Sequence, residues 1–322
     1  MKIGVGVPAK STGKYCMPPH RLINYVQRAE DYGFSGAWVP EHLTVPKSFT
    51  TSFHDLLVTL GIVAGATERI DIGTSILILP MRNPVLVAKR AATLQYLSGN
   101  RLTLGVGQGY MEDEYNAVGI PYEERHKRLM EGIELLQRLL HEEDVTFEGE
   151  FYQTENLTIE PQLDHPPRIL AAGGGIEHDG EWKVAQSVKK RIDLVGGWIA
   201  SSSGETRDDW EIISTSLEEN GTDPMTVDRV GIQHIHLEPT SNRRVALEKQ
   251  HRVFDEFMGE TRGLDWVDKY YLVGTVDEII ERLHEYESLG FDEVILSPAA
   301  YEPGDVDRQL DLWYDHLLPE FQ

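Results

Sequence analysis

Short uninterrupted apolar runs alternate along this chain with longer stretches whose apolar residues recur at helical spacing. The runs are "KIGVGV" (2–7), "GAWV" (36–39), "IDIGTSILIL" (70–79), "LTLGVG" (102–107), "RILAA" (168–172), "IDLVG" (192–196), "VGIQHIHL" (230–237) and "DEVILS" (292–297). Most are continuous rather than alternating, as parallel strands covered on both faces are. The stretches between them carry amphipathic stripes. In 275–290, Val276, Ile279, Ile280, Leu283 and Tyr286 share one face, Thr275 and Glu278 form a capping box, and Gly290 ends the helix. In 121–141, Pro121 opens a helix whose buried stripe is Leu129, Ile133, Leu136 and Leu140. Eight strand–helix units predict an α/β fold, a (β/α)8 TIM barrel, with a doubly wound open sheet as the second architecture. Three insertions interrupt the rhythm: 43–52, the hairpin-like 145–161, and 259–273. No linker or low-complexity tract divides the chain, so 1–322 reads as a single domain.

Charge narrows the partners. The 322 residues include 53 Asp and Glu against 30 Lys and Arg, a formal net charge of -23. Such a surface repels nucleic acid and anionic membranes, and an anionic ligand would need donors of its own. The single cysteine, Cys16, excludes an internal disulfide and fits a reducing compartment. The opening run "IGVGVP" is too short for a secretory signal, and "LLVTLGIVAGA" (56–66) is too short to span a bilayer. A soluble cytoplasmic protein is the expectation.

Candidate chemistry begins where the second strand stops. "GAWV" runs into Pro40, then Glu41 and His42, two side chains that a core rejects. In a barrel the C-terminal strand ends build the active site, which makes the pair catalytic candidates, although a Glu-His pair can also cap a helix or bond loop backbone. The run Gly173, Gly174 and Gly175 follows a strand and precedes a helix, an arrangement suited either to an anion nest of backbone N–H groups or to a plain turn. "LGVGQGYMEDEY" (104–115) fails the dinucleotide fingerprint because Gly109 arrives one residue early, so a Rossmann reading is rejected and the glycines are expected to let a flat ligand approach. His234 and His236, two apart on a strand, share a face and could ligate zinc with His42. No carboxylate partner is evident, so they read instead as pocket or interior histidines, and no metal is expected.

Taken together these motifs resemble the luciferase-like superfamily of flavin- and deazaflavin-dependent oxidoreductases. The resemblance covers nearly the whole chain: "AEDYGFSGAWVPEHL" (29–43), the block 65–119, "ILAAGGG" (169–175) and 273–297. It implies His42 as the active-site histidine, with Glu41 beside it. It implies a non-prolyl cis peptide at Ser75–Ile76 behind the cofactor ring, and the three glycines around the cofactor phosphate. Gln108 stands where luciferases proper have an arginine near that phosphate. The implied cofactor is reduced FMN, in a monooxygenase supplied by a separate flavin reductase, or coenzyme F420, in a hydride-transferring oxidoreductase. A flavin-binding protein without catalysis and a metal-dependent barrel hydrolase are further alternatives. The substrate is a small molecule, residues 43–52 are placed to act as a lid, and relatives of this kind are commonly homodimers.

Overall fold

The computed structural model describes all residues except 9, 13–16, 45–50, 201–204, 259–260 and 301. Eight parallel strands close into a barrel. In chain order they are β1 (Lys2–Gly6), β2 (Gly36–Val39), β3 (Asp71–Ile78), β4 (Leu102–Gly107), β5 (Arg168–Ala172), β6 (Gly197–Ala200), β7 (Asp228–Ile235) and β8 (Glu293–Pro298). β1 pairs with both β8 and β2, so the first strand closes the ring against the last. This is the (β/α)8 barrel that the periodicity predicts, and the open sheet is set aside.

The lower half of the barrel is filled by Trp38. Its ring is 1% exposed and packs in an interior cluster with Leu170, Ile199, Val230 and Ile295. Space for it comes from Gly4, Gly36 and Gly73, where an added Cβ would press on the indole. The indole Nε1 donates to Glu293 at 3.1 Å, and Ser35 Oγ donates to the same oxygen at 2.6 Å. A wide aromatic plug thus explains why three neighbouring strands each carry a glycine at this level.

One strand differs from its prediction. "IDLVG" (192–196) does not form the sixth strand: Ile192 to Val195 finish a helix, Gln186–Val195, and the strand is the following "GWIA". Val188, Arg191 and Ile192 bury at helical spacing, and Gly196, at φ 67°, terminates the helix with its N–H on the Ile192 carbonyl at 2.9 Å. The β-branched residues of "IDLV" mimic a strand, but the stripe continues from "VAQSVKKR" and has helical period.

Other expectations agree with the structure. Thr275 and Glu278 form a reciprocal capping box on the helix Val276–Ser288. Residues 121–141 form a 3-10 turn, Tyr122–Glu124, running into the helix Arg125–His141. Val145–Glu148 and Gln153–Leu157 make the expected hairpin. Within 259–273 the chain forms a short helix, Leu264–Tyr270. Of the segment expected to act as a lid, 45–50 lie outside the described residues. Among the described residues, no helix is long and apolar enough to cross a membrane.

Candidate active site

The C-terminal ends of β2 to β5, adjacent in the barrel, bring most of the candidate residues to one rim. β3 is irregular there: its register against β4 shifts between Thr74 and Leu77, and the Ser75–Ile76 peptide is cis. β4 accommodates the bulge with glycine. A Cβ on Gly105 would strike the Thr74 carbonyl, and one on Gly107 would strike Ile76, while Thr74 Oγ1 donates to the Gly105 carbonyl at 2.7 Å. The glycines of "LGVG" therefore make room for the bulged strand directly, and for a flat ligand only through it.

Glu41 and His42 leave β2 in different directions. Glu41 is 7% exposed and accepts from the Ile78 N–H at 2.6 Å and from Arg82, which also lies 3.5 Å from Asp55. Both its oxygens thus fasten the end of β2 to the end of β3. His42 instead turns into the rim, its ring edge-on to Phe53 at 4.9 Å and to Tyr110 at 5.6 Å.

Its partner was not singled out from sequence. His42 Nδ1 lies 3.3 Å from both oxygens of Glu114, which is 1% exposed. Glu114 Oε1 also accepts from the N–H groups of Leu43 at 2.6 Å and Thr44 at 3.3 Å. A carboxylate receiving backbone donors is an acceptor, so the proton on His42 belongs on Nδ1, and Nε2 is left as a base. Glu114 stands third in the short helix Glu112–Ala117, among Glu112 and Asp113, and only the helical turn distinguishes it.

Gln108 follows β4, with Tyr115 donating to its carbonyl, and its side-chain Oε1 is buried without a partner. The three glycines follow β5 on the same rim as His42. Gly173 has φ 153°, and its carbonyl accepts from Trp198 Nε1 at 2.7 Å. The Gly175 N–H is already engaged: it donates to Asp209 Oδ1 at 2.6 Å, as does Trp182 Nε1 at 2.8 Å. Asp209 is 1% exposed, and burial raises its carboxyl above the usual range despite those two donors. The outer end of the glycine turn is thus filled by a carboxylate of the chain itself.

The two strand histidines part company. His234 continues the inward alternation of Val230 and Ile232 at the mouth of the barrel, edge-on to Tyr271 at 5.6 Å. His236 lies past the strand end, 5% exposed, with Nδ1 2.8 Å from the Ala299 carbonyl and Nε2 3.3 Å from Glu238. Both ring nitrogens of His236 are thus engaged by the chain itself. Among the described residues no group of three or more His, Cys, Asp or Glu could hold a metal.

The residues fit a flat ring that carries a donor: a bulged strand as backing, an orphaned amide oxygen at Gln108 that can accept a hydrogen bond, and an oriented imidazole on the same rim. Comparison with known proteins identifies the family. Residues 1–258 match the family model described as luciferase-like monooxygenase. The chain is 29% identical to an F420-dependent glucose-6-phosphate dehydrogenase of Intrasporangium calvum, over 99% of this chain and 98% of that one. It is 25% identical to an enzyme of the same description from Amycolatopsis mediterranei, over 100% and 99%. Its fold matches a monooxygenase of Streptomyces bottropensis with TM-score 0.77 at 22% identity, covering 100% of both chains. It matches an F420-dependent secondary alcohol dehydrogenase with TM-score 0.75 at 18% identity, again covering 100% of both.

Proposed function

This chain belongs to the luciferase-like monooxygenase family, and from that membership and the rim geometry we propose that it is an F420-dependent oxidoreductase acting on a small hydroxylated substrate. The observation that carries the reading is the His42–Glu114 pair. Oxidation of a hydroxyl to a carbonyl removes a hydride from carbon and a proton from oxygen, and the proton needs a base held at the mouth. When bound, the deazaflavin supplies the acceptor for the hydride. The chain's own residues do the rest. His42 Nε2 takes the hydroxyl proton, and Glu114 fixes the ring and its tautomer through Nδ1. Glu41 is a positioning residue that locks the end of β2 to β3. The Ser75–Ile76 bulge, Gln108 and Gly173 would hold the cofactor when it binds, and His234 lies at the same mouth. The full-length relatives named as F420-dependent dehydrogenases support this choice.

A second reading, a monooxygenase taking reduced FMN from a separate reductase, is favoured by the description of the family model itself. Titrating the purified protein with F420 and with reduced FMN under anaerobic conditions, read by fluorescence quenching, separates the two. On the first reading F420 binds tightly, and His42→Ala lowers turnover at least ~10-fold with the F420 dissociation constant kept. Tight binding of FMN alone, or full turnover without His42, defeats it.

A further inference from the structure

Arg191 lies on the helix Gln186–Val195 and is 1% exposed. Helical side chains lean toward the N-terminus of their helix, and this one carries its guanidinium to the end of β5. Nη2 lies 3.4 Å from the Ala172 carbonyl and 3.3 Å from where a Cβ on Gly173 would stand. That long hydrogen bond is its only one among the described residues. Nε and Nη1 are buried without an acceptor, and no described carboxylate pairs with it. Burial pulls the guanidinium down to about 10. In a chain with 53 acids and 30 bases, a buried arginine left without an acid is conspicuous.

A second cation and an imidazole lie nearby. His126 and Arg125 open the helix Arg125–His141, and His126 Nδ1 and Arg125 Nε are also buried and unpartnered. Burial disfavours the charged form of His126, and the charges of Arg125 and then Arg191 add to the effect. The buried carboxylate at the other end of the glycine turn, Asp209, is taken up by Gly175 and Trp182. Two unpaired guanidinium nitrogens on Arg191 and the Nε of Arg125, with the His126 ring between them at a helix N-terminus, describe the complement of an oxyanion with several oxygens.

We infer that Arg191, flanked by His126 and Arg125, is the anion-binding group at the Gly173 side of the rim, and that it takes a phosphate. On the function proposed above, that phosphate is the one on the cofactor tail. Gln108 brings no charge to the position where the resemblance expects an arginine, and the cation comes instead from the helix after β5. The glycine turn is thereby divided, its Gly175 end closed by Asp209 and its Gly173 end lined by the unpaired guanidinium of Arg191.

The test is Arg191→Met, with Arg191→Lys beside it. Ligands are compared in pairs that differ at the phosphate: F420 against its unphosphorylated deazaflavin head, and FMN against riboflavin, with inorganic phosphate as a separate probe. Wild-type protein is expected to prefer the phosphorylated member by ~10-fold or more. Arg191→Met should abolish that preference while leaving the affinity for the unphosphorylated ring unchanged, and Arg191→Lys should fall between. The ligand-free Met variant should melt no lower than wild type, because it loses an unpaired charge and no ion pair. A retained preference, an equal loss for both members of a pair, or a marked fall in melting temperature overturns the assignment. If wild-type protein binds no ring but is stabilised by phosphate through Arg191, the anion site stands and the cofactor reading falls.

Discussion

Replacing Glu114 by glutamine tests the proposed chemistry with almost no change of shape. Glu114 Oε1 accepts from Leu43 and Thr44, and both oxygens face His42 Nδ1. Glutamine keeps one acceptor oxygen, and the two backbone donors claim it. Its NH2 group then points at His42 Nδ1, which must accept rather than donate. The imidazole proton moves to Nε2, the atom that has to take a proton from substrate. Acid–base groups contribute about 10²–10⁴ to rate. A base trapped in the wrong tautomer should lose a large part of that, so a fall in kcat of about 100-fold is expected, or ~2.7 kcal/mol of transition-state stabilisation. Stability should change by less than ~1 kcal/mol, because the bonds to Leu43 and Thr44 persist. Steady-state kinetics with F420, its dissociation constant, and urea unfolding measure the three quantities. The double variant with His42→Ala should be no slower than His42→Ala alone, since the residues act as a unit. Wild-type kcat in Glu114→Gln, or effects that multiply in the double variant, would refute the reasoning.

Three further expectations concern the scaffold. Glu41→Ala removes the acceptor for the Ile78 N–H and for Arg82 and should cost on the order of 2 kcal/mol in urea unfolding, more than a surface change would. Gly73→Ala drives a methyl into the Trp38 ring and should destabilise by about 1–3 kcal/mol, with a blue or red shift in tryptophan emission as a second readout. Glu293 is buried in the barrel floor, and desolvation raises its carboxyl pKa despite the bonds from Ser35 and Trp38. The folded state therefore holds this proton to higher pH than the unfolded state, and the group's contribution is lost as pH rises through the folded value, by up to ~1.4 kcal/mol per pH unit. Glu293→Gln should flatten that decline in a pH series of melting temperatures, and an unchanged slope would show that Glu293 is not its source.

What could be read from the sequence depended on how far apart the interacting residues lie. The capping box of Thr275 and Glu278 spans three residues and is legible from spacing alone. The strands "GAWV" and "LTLGVG" are continuous and apolar, and they end where predicted. "IDLVG" misled because a buried helix end and a buried strand share a composition, and only the longer stripe through Val188 and Arg191 separates them. Half of the candidate site was legible. His42, the cis bond at Ser75–Ile76 and the glycine turn fall on contiguous motifs. Glu114, Asp209 and Arg191 lie in charge-rich segments where any acid or base looks solvated, and their burial follows from helix register against strands that are distant in sequence. The shared face expected of His234 and His236 failed for the opposite reason: spacing on a strand implies a shared face only while the strand lasts, and β7 stops at Ile235.

The indole that blocks the barrel floor has a kinetic consequence. Among the described residues, Trp38 and Glu293 fill one end of the barrel, so a ligand at the opposite rim cannot leave through the floor. On the function proposed above, a cofactor lying on the Ser75–Ile76 bulge would be seated before the substrate and would leave after it. Such a vestibule imposes a compulsory queue, visible as substrate inhibition that competes with the first arrival and not with the second.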